Sequence, residues 1–340
     1  MTGKMHRRSF LKGSLGAFAA GQGASLLEAR GQETAPAARA QQSGSADAGA
    51  KLFPGFKSMR IDTSGATINA VVGGSGPPVL MLHGYPQTHV IWHKVAPRLA
   101  QHFTIVAADL RGYGDSSKPP DGPNHANYSK RAMAKDQIEV MSHLGFEKFA
   151  LVAHDKGAYV ASRTALDYPD KITKLAVFDS LPSTLITYRN INQQWATAIH
   201  HWFFLIQPSP FPETLIGNSV EFFLETRFNR APGAITPEAY AEYLRCFRDP
   251  ATIHGTCEEY RASAGIDLEH DEADWNKKIQ CPVLSLWAEP GNRPPAFSDA
   301  LKFWKEKAVQ ATGRGVRSSH YIPEHVPDLT FTELNSFLSA

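Results

Sequence analysis

Five short apolar runs constrain this chain more than any other feature. They occupy residues 79–82 (Val-Leu-Met-Leu), 104–108 (Thr-Ile-Val-Ala-Ala), 149–152 (Phe-Ala-Leu-Val), 175–178 (Leu-Ala-Val-Phe) and 282–287 (Pro-Val-Leu-Ser-Leu-Trp). A strand without polar alternation is buried on both faces, which places it in a parallel sheet covered by helices. Helical patterns separate the runs. One spans 90–101. A second, 129–144, is opened by Ser129 and carries Ala132, Ile138, Met141 and Leu144 on an apolar face. A third, 158–166, stops before Pro169. This alternation predicts an α/β fold with a mostly parallel central sheet flanked by helices. The runs lead into His83, Asp109, Asp155 and Asp179. Ligands of open α/β sheets bind at that carboxyl edge.

The flanking segments complete the layout. Residues 59–62 and 67–72 alternate around Thr63-Ser64-Gly65-Ala66, a hairpin signal. Residues 73–78 are Gly-rich but lack the Lys-Ser/Thr of a phosphate loop, which excludes nucleotide binding there. From 182 to 276 the alternation stops, and aromatic, helical sequence predicts an inserted cap over the sheet edge. Residues 51–181 and 277–340 form the two parts of the core. The second part carries a helix over 295–309, a strand near Val316, His320 in the following loop and a last helix over 328–338. No internal repeat is visible.

Of the 340 residues, 42% are hydrophobic and 20% charged, an ordinary globular balance. The net charge of +2 comes from residues 1–40, which hold six basic and two acidic residues. The remainder has 29 basic and 31 acidic residues, giving no electrostatic case for nucleic acid or an anionic membrane. His6-Arg7-Arg8-Ser9-Phe10-Leu11-Lys12, a weakly apolar stretch and Ala38-Arg39-Ala40 read as a twin-arginine signal peptide over residues 1–40. Residues 41–50 read as a linker. The expected location is periplasmic or secreted, without stable membrane association after cleavage. Cys246, Cys257 and Cys281 lack metal spacing and read as buried free thiols. His83, His89 and His93 give no metal spacing either. We expect no cofactor and no metal, and a small molecule as the partner; a homodimer stays open.

Residues 151–158, Leu-Val-Ala-His-Asp-Lys-Gly-Ala, read as strand, sharp turn and helix. Ala153, Gly157 and Ala158 flank Asp155 in the small-x-nucleophile-x-small spacing of a nucleophile elbow. The alternative is an aspartate that merely caps the following helix.

Four motifs then occur in order: His83-Gly84-x-Pro86; Asp109-x-Arg111-Gly112-x-Gly114-x-Ser116; His154-Asp155; and Ser319-His320. Together they resemble the α/β-hydrolase branch with an aspartate nucleophile, which includes epoxide hydrolases and haloalkane and haloacetate dehalogenases. In the cap, His201-Trp202-Phe203-Phe204 leading to Pro208-x-Pro210-x-Pro212-Glu213 is similar to fluoroacetate dehalogenases. So are Arg248-Asp249-Pro250, Ile253-His254-Gly255 and Tyr260-Arg261.

An ionised carboxylate needs no base to attack a saturated carbon. Asp155 is therefore the candidate nucleophile, and His320 the base that activates water against the resulting ester. The orienting acid is Asp179 or Glu289. The resemblance favours Asp179, through a pattern like Phe178-Asp179-x-x-Pro182. The backbone N–H groups of Tyr85 and Lys156 are the expected oxyanion donors. The resemblance also implies a leaving-group site built from His201, Trp202 and Tyr243. Haloacetate dehalogenases hold the substrate carboxylate with arginines one and four positions after the nucleophile; this chain has Lys156 and Tyr159 there. Arg111 is a further candidate for the carboxylate. The primary expectation is cleavage of a carbon–halogen bond in a small haloacid. The alternatives are an epoxide hydrolase using His201 and Tyr260 as acids, and a non-catalytic binding protein on the same fold. No Gly-x-Ser-x-Gly elbow of an esterase is present.

Overall fold

The apolar runs lie in the interior of one eight-stranded sheet. Its order is β1-β2-β4-β3-β5-β6-β7-β8, where β1 is Lys57–Asp62, β2 Thr67–Gly74, β3 Pro78–Leu82 and β4 Thr104–Ala108. The series continues with β5 Phe149–His154, β6 Ile172–Phe178, β7 Val283–Glu289 and β8 Ala311–Arg317. The hairpin β1–β2 and the β2–β4 pair are antiparallel, and every other pairing is parallel. This is the three-layer α/β architecture expected from the alternation. The computed structural model describes residues 49–229, 231–289 and 299–340. The signal-peptide assignment lies outside the described residues, as do all but the last two linker residues.

Burial explains the missing alternation. All six residues of β5 are buried, as are the last four of β3 and β4. Each large aliphatic removed from water contributes roughly 1.5–3 kcal/mol, and Leu80, Val106 and Leu151 are fully enclosed. Ser129 caps the helix Lys130–His143 by accepting the Ala132 N–H at 3.2 Å. The expected helix over 90–101 is instead a 3₁₀ turn, His89–Trp92, followed by the short helix Ala96–Leu99. Pro97 accounts for the break, because it has no N–H to continue a ladder from the first turn.

Between β6 and β7 lie eight helices, from Thr184–Arg189 to Ile266–Ala273, with no strand among the described residues. They belong to the same compact unit as the sheet, residues 43–340. The cap is thus continuous with the core and not a separate body. Among the described residues, no helix is long and apolar enough to cross a membrane. The final helix is Pro327–Ser339. The expected helix over 295–309 is seen as Ala300–Lys307, its proposed start lying outside the described residues.

Candidate active site

β5 delivers Asp155 to the head of the helix Lys156–Asp167 with φ 48° and ψ −116°. This left-handed conformation is uncommon for a residue with a side chain. The turn is crowded: a Cβ on Gly157 would overlap the His83 carbonyl oxygen, and one on Gly84 would overlap the Asp155 side chain. The Asp155 carboxylate does not cap its helix. Its Oδ1 accepts the Tyr85 N–H at 2.9 Å instead, which excludes the capping role. Tyr85-Pro86 is a cis peptide. Burial works to raise the Asp155 pKa, but His320, His154, Lys156 and the Tyr85 N–H outweigh it and hold the group below its ordinary value. Asp155 is therefore an anion at neutral pH, as a nucleophile requires.

His320 follows β8. Its Nδ1–H donates to Asp179 Oδ2 at 2.5 Å, and its Nε2 lies 3.7 Å from Asp155 Oδ2. Asp179 follows β6, also in the left-handed region at φ 54°. Its Oδ1 accepts the Ala288 N–H at 2.8 Å, which fixes the carboxylate against the imidazole. The other acid candidate, Glu289, is exposed and accepts the Trp287 indole N–H at 3.0 Å. His154 supports the His320 loop from behind: its Nε2 bonds the His320 carbonyl at 2.9 Å. Burial, then the neighbouring His320, pulls the His154 pKa to about 3, so it acts as a neutral donor. Its adjacency to Asp155 was visible in the sequence, but its bond to a residue 166 positions away was not.

A cavity of about 1010 Å³ opens over Asp155 and His320. Its wall includes Tyr85, Tyr159, His201, Trp202 and Arg227. The Tyr159 hydroxyl is hydrogen-bonded to Thr187 Oγ1 at 2.9 Å. Tyr260 stands edge-on to Tyr85, His201 and Trp202, with centroids 5.2, 5.9 and 5.7 Å away. No described residue accepts a hydrogen bond from the Tyr260 hydroxyl or the Trp202 indole N–H.

Three expected substrate contacts are corrected by this geometry. Tyr243 does not join His201 and Trp202: it is fully buried, and its hydroxyl donates to Glu324 Oε1 at 3.1 Å. Tyr260 stands beside that pair instead. Arg111 does not reach the cavity, because Asp136 holds its Nε at 2.5 Å and its Nη2 at 2.6 Å. The Lys156 side chain turns away beneath the cap aromatics, its Nζ 3.9 Å from the Trp202 centroid and 3.6 Å from that of Tyr260. Glu259 Oε1 lies 3.7 Å from it and is also bonded by Lys130. Burial brings the Lys156 pKa down to about 8 against the pull of Glu259. The Lys156 backbone N–H remains at the elbow, where an oxyanion donor is expected.

A carboxylate on a strained strand-to-helix turn, a histidine within reach and an acid behind it define a hydrolase of the nucleophile-elbow type. The chain belongs to the α/β hydrolase fold family, which it matches over residues 77–307. It is 44% identical over 292 residues to a fluoroacetate dehalogenase of Burkholderia sp, covering 85% of this chain and 95% of the relative. It is 32% identical over 282 residues to a soluble epoxide hydrolase of Corynebacterium sp. strain C12, covering 81% and 95%. A solved structure from Nostoc sp PCC 7120, named for the same fold, superposes with a TM-score of 0.82 at 52% identity, covering 84% and 99%. Another, from Pseudomonas aeruginosa and provisionally named an epoxide hydrolase, gives 0.80 at 44%, covering 85% and 97%.

Proposed function

We propose that this hydrolase cleaves a carbon–halogen bond in a small haloacid through a covalent ester on Asp155. Oδ2 of Asp155 attacks the carbon that bears the halogen, and halide leaves. Water deprotonated by His320 then attacks Cγ of the ester. The oxyanion forms on Oδ1, where the Tyr85 N–H already points; as it collapses the Cγ–Oδ2 bond breaks, and the hydroxy acid departs with the proton returned by His320. Asp179 holds His320 in the tautomer this needs and stabilises the imidazolium that forms.

The observation that carries the choice of leaving group is a pair of donors for which no described residue is an acceptor, the Trp202 indole N–H in the wall of the cavity that holds Asp155 and the Tyr260 hydroxyl, whose ring packs 5.7 Å from that of Trp202. Donors without an internal acceptor are suited to charge that develops only during the reaction. The similarity to a fluoroacetate dehalogenase supports the same reading.

Epoxide hydrolysis is the second reading. It uses the same acid, base and nucleophile, with His201 and Tyr260 protonating the alkoxide. It is favoured by the withdrawal of Lys156 and Arg111 from the cavity, since an epoxide needs no anion site. A panel of 2-haloacids assayed for halide, beside styrene oxide assayed for diol, separates the two. Halide from the acids is expected. Diol without halide from any acid would transfer the assignment to epoxide hydrolysis. Export by the twin-arginine route is part of the proposal, and periplasmic fractionation of the native host checks it.

A further inference from the structure

Among the described residues four arginines are buried: Arg111, Arg163, Arg227 and Arg261. Three are neutralised by carboxylates. Arg111 is held by Asp136, Arg163 by Asp167 and Asp274, and Arg261 by Glu213 and Glu258. Arg227 is different. It lies near the end of the cap helix Val220–Phe228, is 5% exposed and lines the cavity that holds Asp155 and His320. Its Nε is enclosed without a partner, and no described residue pairs with its guanidinium. Its hydrogen bond among the described residues is made through the main chain, where its carbonyl accepts the Tyr321 hydroxyl at 3.3 Å.

An unpaired buried guanidinium is costly, because its lost hydration is not replaced. Such a cost persists where a ligand supplies the missing anion. Among the described residues, no other arginine or lysine is enclosed in the cavity wall. Lys156 is turned under Trp202 and Tyr260, Arg111 is spent on Asp136, and Arg317, the other arginine in the wall, is exposed.

We propose that Arg227 receives the carboxylate of the substrate. A planar guanidinium matches a carboxylate with two parallel N–H···O bonds, which orients as well as holds it. Arg227 thus stands on the cap side of the cavity in place of cations beside the nucleophile. The substrate class is then a halo acid that spans from Arg227 to Asp155. Leu181, Trp195 and Ile199 offer apolar wall for a side chain on that acid. A volume of about 1010 Å³ is at the upper end for pockets that enclose drug-sized ligands, and far exceeds the needs of a two-carbon acid.

The proposal rests on the reading that the substrate is an acid, and its test separates the two. The Asp155→Asn variant of the full chain, which cannot form the ester, is titrated by calorimetry with 2-hydroxy acids and with the matching 2-hydroxy amides. Acids are expected to bind more tightly than amides. Adding Arg227→Met is expected to weaken the acid by about 30-fold or more, the scale of a lost bidentate charged pair. Arg227→Lys, which keeps charge without the fork, is expected to lie between. In the active enzyme, the ratio of kcat/KM for a 2-bromo acid over its amide should fall by a similar factor. Acid binding unchanged in a folded Arg227→Met double variant would overturn the proposal, as would the absence of binding by any carboxylate. If the Met variant does not fold, an unchanged acid-to-amide preference in Arg227→Lys overturns it. Arg227-dependent acid binding with no halide from any substrate would sink dehalogenation and leave the anion site standing.

Discussion

Lys156 places its ammonium nitrogen 3.6 Å from the ring centroid of Tyr260, although it directly follows Asp155 in sequence. A residue that adjacency to Asp155 marks as a substrate clamp is instead a charged platform against the rings of Trp202 and Tyr260, the two donors proposed for the leaving group. A cation against an aromatic face is worth up to about 2 kcal/mol when desolvated. It also makes the O–H and N–H edges of those rings better donors.

Lys156→Met is therefore expected to slow release of a poor leaving group more than a good one. The fluoride-to-bromide rate ratio should fall by roughly tenfold, the scale of a lost charged contact. Because burial lowers the Lys156 pKa to about 8, the ammonium is present below that value and lost as pH rises through it. The wild-type ratio should decline above about pH 8, and the Met variant should be flat. Stopped-time halide assays across pH check both.

His320→Gln is expected to stop the enzyme at the ester. Asp155 Oδ2 remains free to attack, but no base lies near the water that must follow. Intact-mass spectrometry after incubation with a turned-over acid should show the protein heavier by the substrate less its halogen. Asp155→Asn should show no adduct and lose on the order of 10⁴-fold or more in turnover. An unmodified His320→Gln protein would remove His320 from the hydrolytic step.

Asp179→Asn should cost roughly 10³- to 10⁴-fold in kcat, as expected when an imidazole loses the acid that sets its tautomer. Glu289→Gln should stay within about threefold, since its carboxylate is solvent-facing and bonded to Trp287. The reverse ranking in steady-state assays would reassign the acid.

Glu324 is fully buried, and Gln87 Nε2 and the Tyr243 hydroxyl meet its carboxyl. Burial raises its pKa from 4.5 to about 8. A raised folded pKa means the native state binds more protons than the unfolded chain between those values. The contribution to stability is complete below 4.5 and is lost as pH rises through about 8. Glu324→Gln, which mimics the neutral form, should melt close to wild type at pH 5 and be more stable by at least about 1 kcal/mol at pH 8.5. Thermal melts at the two pH values check the sign.

The strands and the elbow were legible because their causes are local. Burial on both faces leaves a continuous apolar run, and a tight turn leaves Ala153, Gly157 and Ala158 around Asp155. Asp179 was preferred to Glu289 through the family resemblance of the Phe178-Asp179-x-x-Pro182 pattern, and in the structure its Oδ2 lies 2.5 Å from His320 Nδ1. The cap residues were less legible because packing decides them. Tyr243 and Tyr260 are both aromatic residues on cap helices, and only the position of Glu324 separates their roles. Arg111 looked available until Asp136 was found 25 residues away along the chain. Arg227 carried no motif at all; its meaning comes from burial without a counter-charge.

Asp155 and Asp179 both sit at positive φ, 48° and 54°. Asparagine has the same shape as aspartate and differs only by an NH2 in place of one oxygen, and a single base change separates their codons. A descendant could thus lose its chemistry at either position and keep its shape, its cavity and its family membership. Silent members of such a lineage would be recognised by reading these two positions, because nothing else in the fold would have to change.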